Sequence, residues 1–525
     1  MTVARWSSAS VRNPLWLTGS VVCLVMSVVA HTASQTVADP DLWGHVKFGQ
    51  DILQSGKIVD RDPYSYLTSG QVWINHEWLS EAIFAAIFSL GGSTALILMK
   101  TSLTLLTLGL VYGYLIRHGL SALRGGILLM FALLLISQGV LVIRPQIFTY
   151  LLFVVTLLLL DQADRGWLGW LWGIPIVFAL WANVHGGFLS GLAIVIVWSF
   201  ARTGTAFYRA TRYGTRITPA DVAFIGTALA AVIATFLNPY GVMLFQFLIH
   251  PGTFSRPDIT EWQPTNFMSP YGVVYITLLT LAVAGCFQSR KERSPGPIAV
   301  LCCMAFVPLL AYRHGPLFGL AIPLLAGEHI GDAWNRWSSN TKSNVEEMRE
   351  TSAQVCLAGL GFAVASVVLY LSLPFINCIR IDPVRAISFP ARAVSVLDKS
   401  GAEGNLAIPF DWGEYAIWHL SPRFKVSLDG RRETIYSEEI RHENLNFAFG
   451  TGDWDKLIRD RDTDLALVQT KFAAFNLMKL APGWVLVYED AISAIFAKQD
   501  SPLVRLIHET KPDEIPDNGA GLCFP

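Results

Sequence analysis

Charge is what this chain has least of. Only 15% of its 525 residues are Asp, Glu, Lys or Arg, against about 25% in a soluble globular domain. The formal net charge is −1, which excludes the basic footprint of a nucleic-acid-binding protein. Seven cysteines are present without a C-x-x-C pair, so the usual zinc spacings are missing. No G-x-G-x-x-G sits at a strand–helix turn and no Walker loop occurs, which removes the common dinucleotide and P-loop chemistries. There is no internal repeat and no low-complexity segment. Apolar residues, by contrast, make up 52% of the chain, and the mean hydropathy is +0.43.

The apolar residues cluster in runs of membrane-crossing length, about 17–25 residues. Eleven spans are expected, near 14–33, 96–117, 125–143, 146–161, 167–184, 187–201, 219–237, 271–287, 297–312, 314–327 and 354–374. The segments 146–161 and 314–327 are short, and two of these segments could be re-entrant. Arg5 and Arg12 before the first run resemble a signal peptide, but the run continues to Ala33 without an A-x-A-type site, so it reads as an anchor. With the N-terminus in the cytoplasm, five basic loops fall on the same side: Arg117 and Arg124; Arg165; Arg202, Arg209, Arg212 and Arg216; Arg290, Lys291 and Arg293; Arg336, Lys342 and Arg349. The positive-inside rule favours that threading. It makes the chain an integral membrane protein, with everything beyond Pro374 extracytoplasmic, in the periplasm or its equivalent.

The outer face then collects the polar clusters. A large first external loop, 34–80, carries Asp39-Pro40-Asp41-Leu42-Trp43-Gly44-His45, Asp60-Arg61-Asp62-Pro63-Tyr64-Ser65-Tyr66 and Asn75-His76-Glu77-Trp78-Leu79. Later outer ends carry Arg144, His185, Asn238, Glu261, and Arg313 with His314. Single His or Arg residues at span ends often only snorkel or cap. Ionisable groups gathered at one membrane face are functional candidates. Asp60 and Asp62 are more simply explained by the turn chemistry of Asp-Pro-Tyr-Ser. Interfacial belts account for Trp43, Trp73, Trp78 and Trp262 as readily as sugar platforms do.

Asp39-x-Asp41 directly after a first span resembles the acidic motif of the GT-C glycosyltransferases. The D-x-D-L-W-x-H start, the D-P-x-S-Y turn and the H-E-W-L helix start together resemble a bacterial branch of that superfamily. The resemblance implies a mainly α, polytopic GT-C-like fold with a soluble C-terminal domain. It also implies an inverting membrane glycosyltransferase, moving a hexosyl or pentosyl unit from a polyprenyl-phosphate donor to a glycan, lipid or protein acceptor of the cell envelope. Such chemistry needs a carboxylate to take the acceptor hydroxyl's proton and positive charge on the leaving phosphate. Asp41, then Asp39, suit the first role. Arg144, Arg313 and His45, His76, His185 and His314 suit the second, with Glu77, Asn238 and Glu261 as further binding candidates. Arginine's planar fork matches phosphate. A divalent cation, Mg or Mn, bridging Asp39 or Asp41 to phosphate is a further option. The competing readings are a transporter or flippase of a lipid-linked or small polar substrate, and a non-catalytic envelope-assembly protein. Transporters tend to show related halves and mid-membrane ionisable groups, and neither is visible here.

Residues 1–375 thus read as the membrane domain and 376–525 as an α/β domain outside. Strands are expected at 405–410, 424–428, 465–468, 484–488 and 494–497, and helices around 389–400, 434–449, 452–460 and 470–480. In this domain Asp411-Trp412-Gly413-Glu414-Tyr415 and Asp429-Gly430-Arg431-Arg432 are polar spots, the second suiting a turn and either able to bind acceptor. Cys378 and Cys523 are both external in this threading and are expected to pair in an oxidising compartment. The alternative is two free thiols.

Overall fold

The structure, a computed structural model, describes residues 15–249, 260–341, 350–384 and 387–525. Arg5, Arg12, Lys342 and Arg349 of the topology argument lie outside the described residues. In chain order the principal helices are α1 (Leu15–Ser34), α2 (Asp41–Ser55), α3 (Trp78–Arg117), α4 (Ala122–Val140), α5 (Gln146–Asp164), α6 (Gly173–Val184), α7 (Phe188–Tyr213), α8 (Pro219–Ala234), α9 (Val242–Leu248), α10 (Pro270–Gln288), α11 (Pro295–Leu310), α12 (Gly315–Thr341) and α13 (Glu350–Tyr370). Helix lies at every one of the eleven expected spans. Among the described residues, seven helical segments are long and apolar enough to cross a bilayer, fewer than the eleven spans expected, while 168–184, 219–234 and 295–310 are apolar but shorter. The 27-residue α12 is interrupted in composition by Glu328, Asp332 and Arg336.

Two departures from the expected outline bear on the site. The segment 34–80 is not a plain loop, because α2 occupies Asp41–Ser55 within it. Leu42, Val46, Gly49 and Ile52 recur at helical spacing on the buried face of α2, and Phe48 is buried beside them. The helix after it begins at Trp78, well before the span expected from 96. It breaks at Gly91 and Gly92, where Gly92 has a φ of 59°, a backbone setting that glycine adopts without penalty.

The chain divides into two compact units. One comprises Met1–Ala33, Thr104–Ser137 and Pro264–Pro374; the other comprises Ser34–Leu103, Gln138–Gln263 and Phe375–Pro525. Inside the first, small residues let helices approach. Gly285 of α10 faces Ile330 of α12, Tyr275 packs on Phe318 with ring centroids 4.7 Å apart, and the Tyr112 hydroxyl donates to the Ala122 carbonyl at 2.7 Å.

The second unit holds the polar motifs and the C-terminal region. That region adds α14 (Ala391–Lys399), α15 (Gly413–Leu420) and α16 (Glu438–Phe449), with β1 (Gly404–Ala407), β2 (Phe424–Val426), β3 (Leu465–Gln469), β4 (Trp484–Glu489) and β5 (Ser493–Lys498). The sheet order is β2-β1-β3-β5-β4. Pairing is parallel from β2 through β1 to β3, then antiparallel through β5 to β4. All five strands fall within the expected segments to within a few residues, whereas α15 was not expected. Central β3 is buried along its length, as its unbroken apolar run requires.

A short ladder positions the acidic motif. Val37 N donates to the Leu141 carbonyl at 2.9 Å, Ala38 N to the Arg380 carbonyl at 2.8 Å, and Phe524 N to the Ile379 carbonyl at 2.9 Å. Beside this ladder Cys378 and Cys523 form a disulfide with Cα atoms 5.3 Å apart. Lys100, buried in α3, caps the end of α4 by donating to the Val140 carbonyl at 2.5 Å.

Candidate active site

The Asp39-Pro40-Asp41 segment enters α2 directly. Pro40 takes the position before the first helical residue, with φ −52°, where its missing N–H removes no helical hydrogen bond. Leu42 N donates to the Asp39 carbonyl at 3.2 Å. Asp41 thereby opens the helix, at the end where a negative charge is favoured by the helix dipole.

Arg144 precedes α5 in the same way, with Pro145 at the helix boundary. Its guanidinium spans both acids of the motif. Nε donates to Asp39 Oδ2, and Nη2 pairs with Asp41 Oδ2 at 2.9 Å. The Asp39 side chain is only 6% exposed, and its Oδ1 has no hydrogen-bond partner among the described residues. Burial raises the Asp39 pKa above the ordinary carboxylate value, and the Arg144 charge only partly offsets it. Glu261, in a short 3-10 turn at Thr260–Trp262, adds its negative charge to the field at Arg144.

A second layer begins at the start of α3. Asn75 closes a turn just before that helix: its Oδ1 accepts from Glu77 N at 3.2 Å, and its Nδ2 donates to Glu81 Oε2 at 2.5 Å. The other Glu81 oxygen lies 3.6 Å from His45 Nδ1. Glu77 Oε1 lies 3.7 Å from His76 Nε2 and 3.6 Å from His185 Nε2. Gly187 N donates to His185 Nδ1 at 2.9 Å, and the Thr149 hydroxyl lies 2.8 Å from the same nitrogen. Nδ1 is therefore the acceptor, which leaves the ring proton of neutral His185 on Nε2, facing Glu77. Burial pushes the Glu77 pKa up to about 7, with the Glu81 and Asp41 charges raising it and His45 lowering it. For His45, burial lowers the pKa, but the Glu81 hydrogen bond and the Glu77, Glu81 and Asp41 charges outweigh that and raise it.

Asp39, Asp41, His45, His76, Glu77, Arg144, His185 and Glu261 all belong to the second compact unit, as does Asn238. The Asn238 side chain closes a turn: Oδ1 accepts from Tyr240 N and Nδ2 donates to the Thr235 carbonyl, each at 2.8 Å. The Tyr240 hydroxyl then accepts from Asn75 N at 3.1 Å. Arg313 and His314 form a 3-10 turn, Tyr312–His314, in the first unit. Among the described residues, no group of three or more His, Cys, Asp or Glu side chains is placed to hold a metal ion. Asp39 and Asp41 each direct an oxygen to Arg144.

Two further clusters involve the polar spots of the C-terminal region. Glu414, at the start of α15, accepts from Gly44 N at 3.1 Å. Arg431 is enclosed almost completely, pairing with Asp62 Oδ1 and Asp429 Oδ2 at 2.7 Å each. The rings of Trp73, Tyr64 and Phe48 stand 4.9, 5.1 and 5.5 Å from its guanidinium carbon. Asp62 meanwhile accepts from Tyr64 N at 2.9 Å, the turn that Asp-Pro-Tyr-Ser suggested. The glycines of D-L-W-G-H and D-G-R-R were the available signal, since each marks a close approach.

No protein-family model matches the chain, and no curated protein matches it in sequence. Solved structures do match over nearly its full length. The Archaeoglobus fulgidus oligosaccharyltransferase tethered to an acceptor peptide superposes with a TM-score of 0.54 at 10% identity, over 87% of this chain and 69% of that one. AglB from Archaeoglobus fulgidus in complex with an inhibitory peptide and a dolichol-phosphate gives 0.52 at 11% identity, over 95% and 76%. A mutant of the arabinofuranosyltransferase AftD from Mycobacteria gives 0.52 at 14% identity, over 94% and 42%. With polar motifs following the first helix in sequence and a mixed α/β region following the last long helix, the chain has the fold of the GT-C membrane glycosyltransferases.

Proposed function

We propose that the chain transfers a sugar from a polyprenyl-phosphate-linked donor to a cell-envelope acceptor at the outer face of the membrane, with inversion at the sugar carbon. The observation that carries this reading is the clamp of Asp39 and Asp41 on Arg144 within a GT-C fold. AglB, which shares that fold, binds a dolichol-phosphate, which supports a lipid-linked donor. The topology that fits has a cytoplasmic N-terminus and residues 376–525 outside as the acceptor-side domain.

Asp41 is the base. As the bond from the sugar carbon to the donor phosphate breaks, the acceptor oxygen bonds to that carbon from the opposite side and its proton passes to Asp41. Arg144 supplies the positive charge for the leaving phosphate. It uses Nε and Nη2 on the two aspartates, which leaves Nη1 to donate to phosphate oxygens. Asp39 holds that guanidinium in place from a buried position. His45, His76 and His185, with Glu77 between the last two, offer donors further along the donor phosphate.

The test compares envelope glycans and glycoproteins in a deletion strain complemented with the wild-type chain or Asp41→Asn. The same membranes are then assayed for transfer from a polyprenyl-phosphate sugar. Asp41→Asn should insert at normal levels and transfer nothing. Near-normal transfer would remove Asp41 from the mechanism. A deletion strain with an unaltered envelope would remove the reaction.

A further inference from the structure

One buried carboxyl beside Asp41 has no part in the mechanism above. Asp411-Trp412-Gly413-Glu414-Tyr415 follows β1 through a 3-10 turn, Phe410–Trp412, and places Glu414 on the first turn of α15. Trp412 anchors that turn by donating from its indole to the Ser388 carbonyl at 2.7 Å. Glu414 is 5% exposed, and its Oε2 takes the N–H of Gly44, three residues after Asp41 on the first turn of α2.

Two glycines permit this approach. A Cβ on Gly44 would fall inside the Glu414 carboxyl. A Cβ on Gly430 would lie 2.4 Å from Glu414 Oε1 and 2.7 Å from Asp41 Oδ1. The free oxygens of Asp41 and Glu414 therefore flank the bare Cα of Gly430, while Asp41 Oδ2 is held by Arg144. Placing a second carboxyl there is unfavourable if the contact serves only to fasten two segments. Burying an acid beside another acid carries a penalty that a serine or asparagine making the same bond to Gly44 would avoid. The charged groups acting on Glu414 are Asp41, Asp429, Glu81 and Arg431. Asp411, in the preceding turn, also feels the Asp41 charge.

We propose that Glu414 is a positioning residue for Asp41: it fixes the first turn of α2 and presents Asp41 Oδ1 to the acceptor hydroxyl, so that the C-terminal domain completes the catalytic site. This rests on the glycosyl-transfer reading. Burial and the Asp41 charge hold the Glu414 pKa well above the ordinary carboxylate value.

The experiment uses the full chain in lipid nanodiscs and has two arms. The first needs no sugar donor. Labelling of Glu414 by a hydrophobic carbodiimide is followed across pH by mass spectrometry in the wild type and in Asp41→Asn. Loss of the neighbouring charge should lower the Glu414 labelling midpoint by about one pH unit; an unchanged midpoint overturns the pairing. The second arm measures transfer by Glu414→Gln, Glu414→Ala and Gly430→Ala, below the melting point of each. Glu414→Gln keeps an oxygen for Gly44 N and should stay within about threefold of wild type, with a displaced pH profile. Glu414→Ala should lose at least about tenfold in kcat with little change in KM, and Gly430→Ala should behave like it. Full transfer by folded Glu414→Ala overturns the positioning role. A wild-type chain that transfers nothing defeats the reaction itself, and the labelling arm still decides whether the two carboxyls are coupled.

Discussion

Removing the Arg144 charge tests the centre of the site. Arg144→Met keeps the aliphatic stem and deletes the guanidinium. Asp39, with a side chain only 6% exposed, then loses its counter-charge, and Asp41, 25% exposed, loses its ion pair with Arg144. Stripping one partner from a buried ion pair costs about 3–5 kcal/mol. Arg144 itself is 28% exposed, and Asp39 can escape by taking up a proton, so the loss should fall near about 2–3 kcal/mol. In a chain of this size that corresponds to a melting point lower by about 2–3 °C. The second substitution is the informative one. Arg144→Met with Asp39→Asn leaves no unpaired charge on that side and should recover more than about 1 kcal/mol of the loss. Transfer should not recover, because the leaving phosphate still lacks its cation, and removing one preorganised donor costs about 10²–10³ in rate. Tryptophan-fluorescence melts in nanodiscs, beside transfer assays on the same preparations, separate the two effects. A single mutant melting within about 1 °C of wild type, or a double mutant no more stable than the single, would refute the claim that Arg144 and Asp39 depend on each other.

Arg431→Met strands Asp62 and Asp429, both fully buried, and should cost about 3–5 kcal/mol; protease resistance equal to wild type would contradict the enclosed ion cluster. Burial holds the Glu77 pKa at about 7, so between the unfolded value near 4.5 and about 7 the folded chain binds the extra proton and stability falls as pH rises, by at most about 3 kcal/mol. Glu77→Gln should flatten the melting-point profile over that window, and a profile as steep as wild type would exclude Glu77 as its source. Cys523→Ser should cost about 2–4 kcal/mol of stability through loss of a cross-link spanning 145 residues, read as a lower melting point. Non-reducing mass spectrometry of the wild type should recover the 378–523 pair, and two alkylatable thiols there would contradict it.

Much of the fold is written in apolar runs, because a bilayer accepts only long stretches of one character. The strands of the C-terminal sheet are equally visible in β3 and β5, whose apolar segments are bounded by turns. Helix α2 is harder to see. Asp41, His45, Lys47 and Asp51 make the segment look like a polar loop, and only the spacing of Leu42, Val46 and Ile52 shows the buried face. The acidic motif is legible as a candidate, since two acids beside a membrane span need a cation. That Arg144 is this cation for both acids is not legible, because 105 positions separate it from Asp39. Glu414 lies further away still, 370 positions from Gly44.

Arg431 shows why the first loop and the C-terminal region of this compact unit specify one another. A guanidinium at that depth is tolerated only if its charge and its donors are answered. Asp429 and Tyr436 come from its own neighbourhood. Asp62 and the rings of Phe48, Tyr64 and Trp73 all come from the first loop. The Asp-Pro-Tyr-Ser turn is thus half of an ion site whose other half lies in the Asp-Gly-Arg-Arg segment. The same two segments bring Asp41 and Gly430 together. The buried Arg431 cluster therefore fixes where Gly430 stands, Gly430 leaves the gap that Asp41 Oδ1 and Glu414 Oε1 flank, and the geometry around the proposed base depends on a charge cluster that touches no reacting atom.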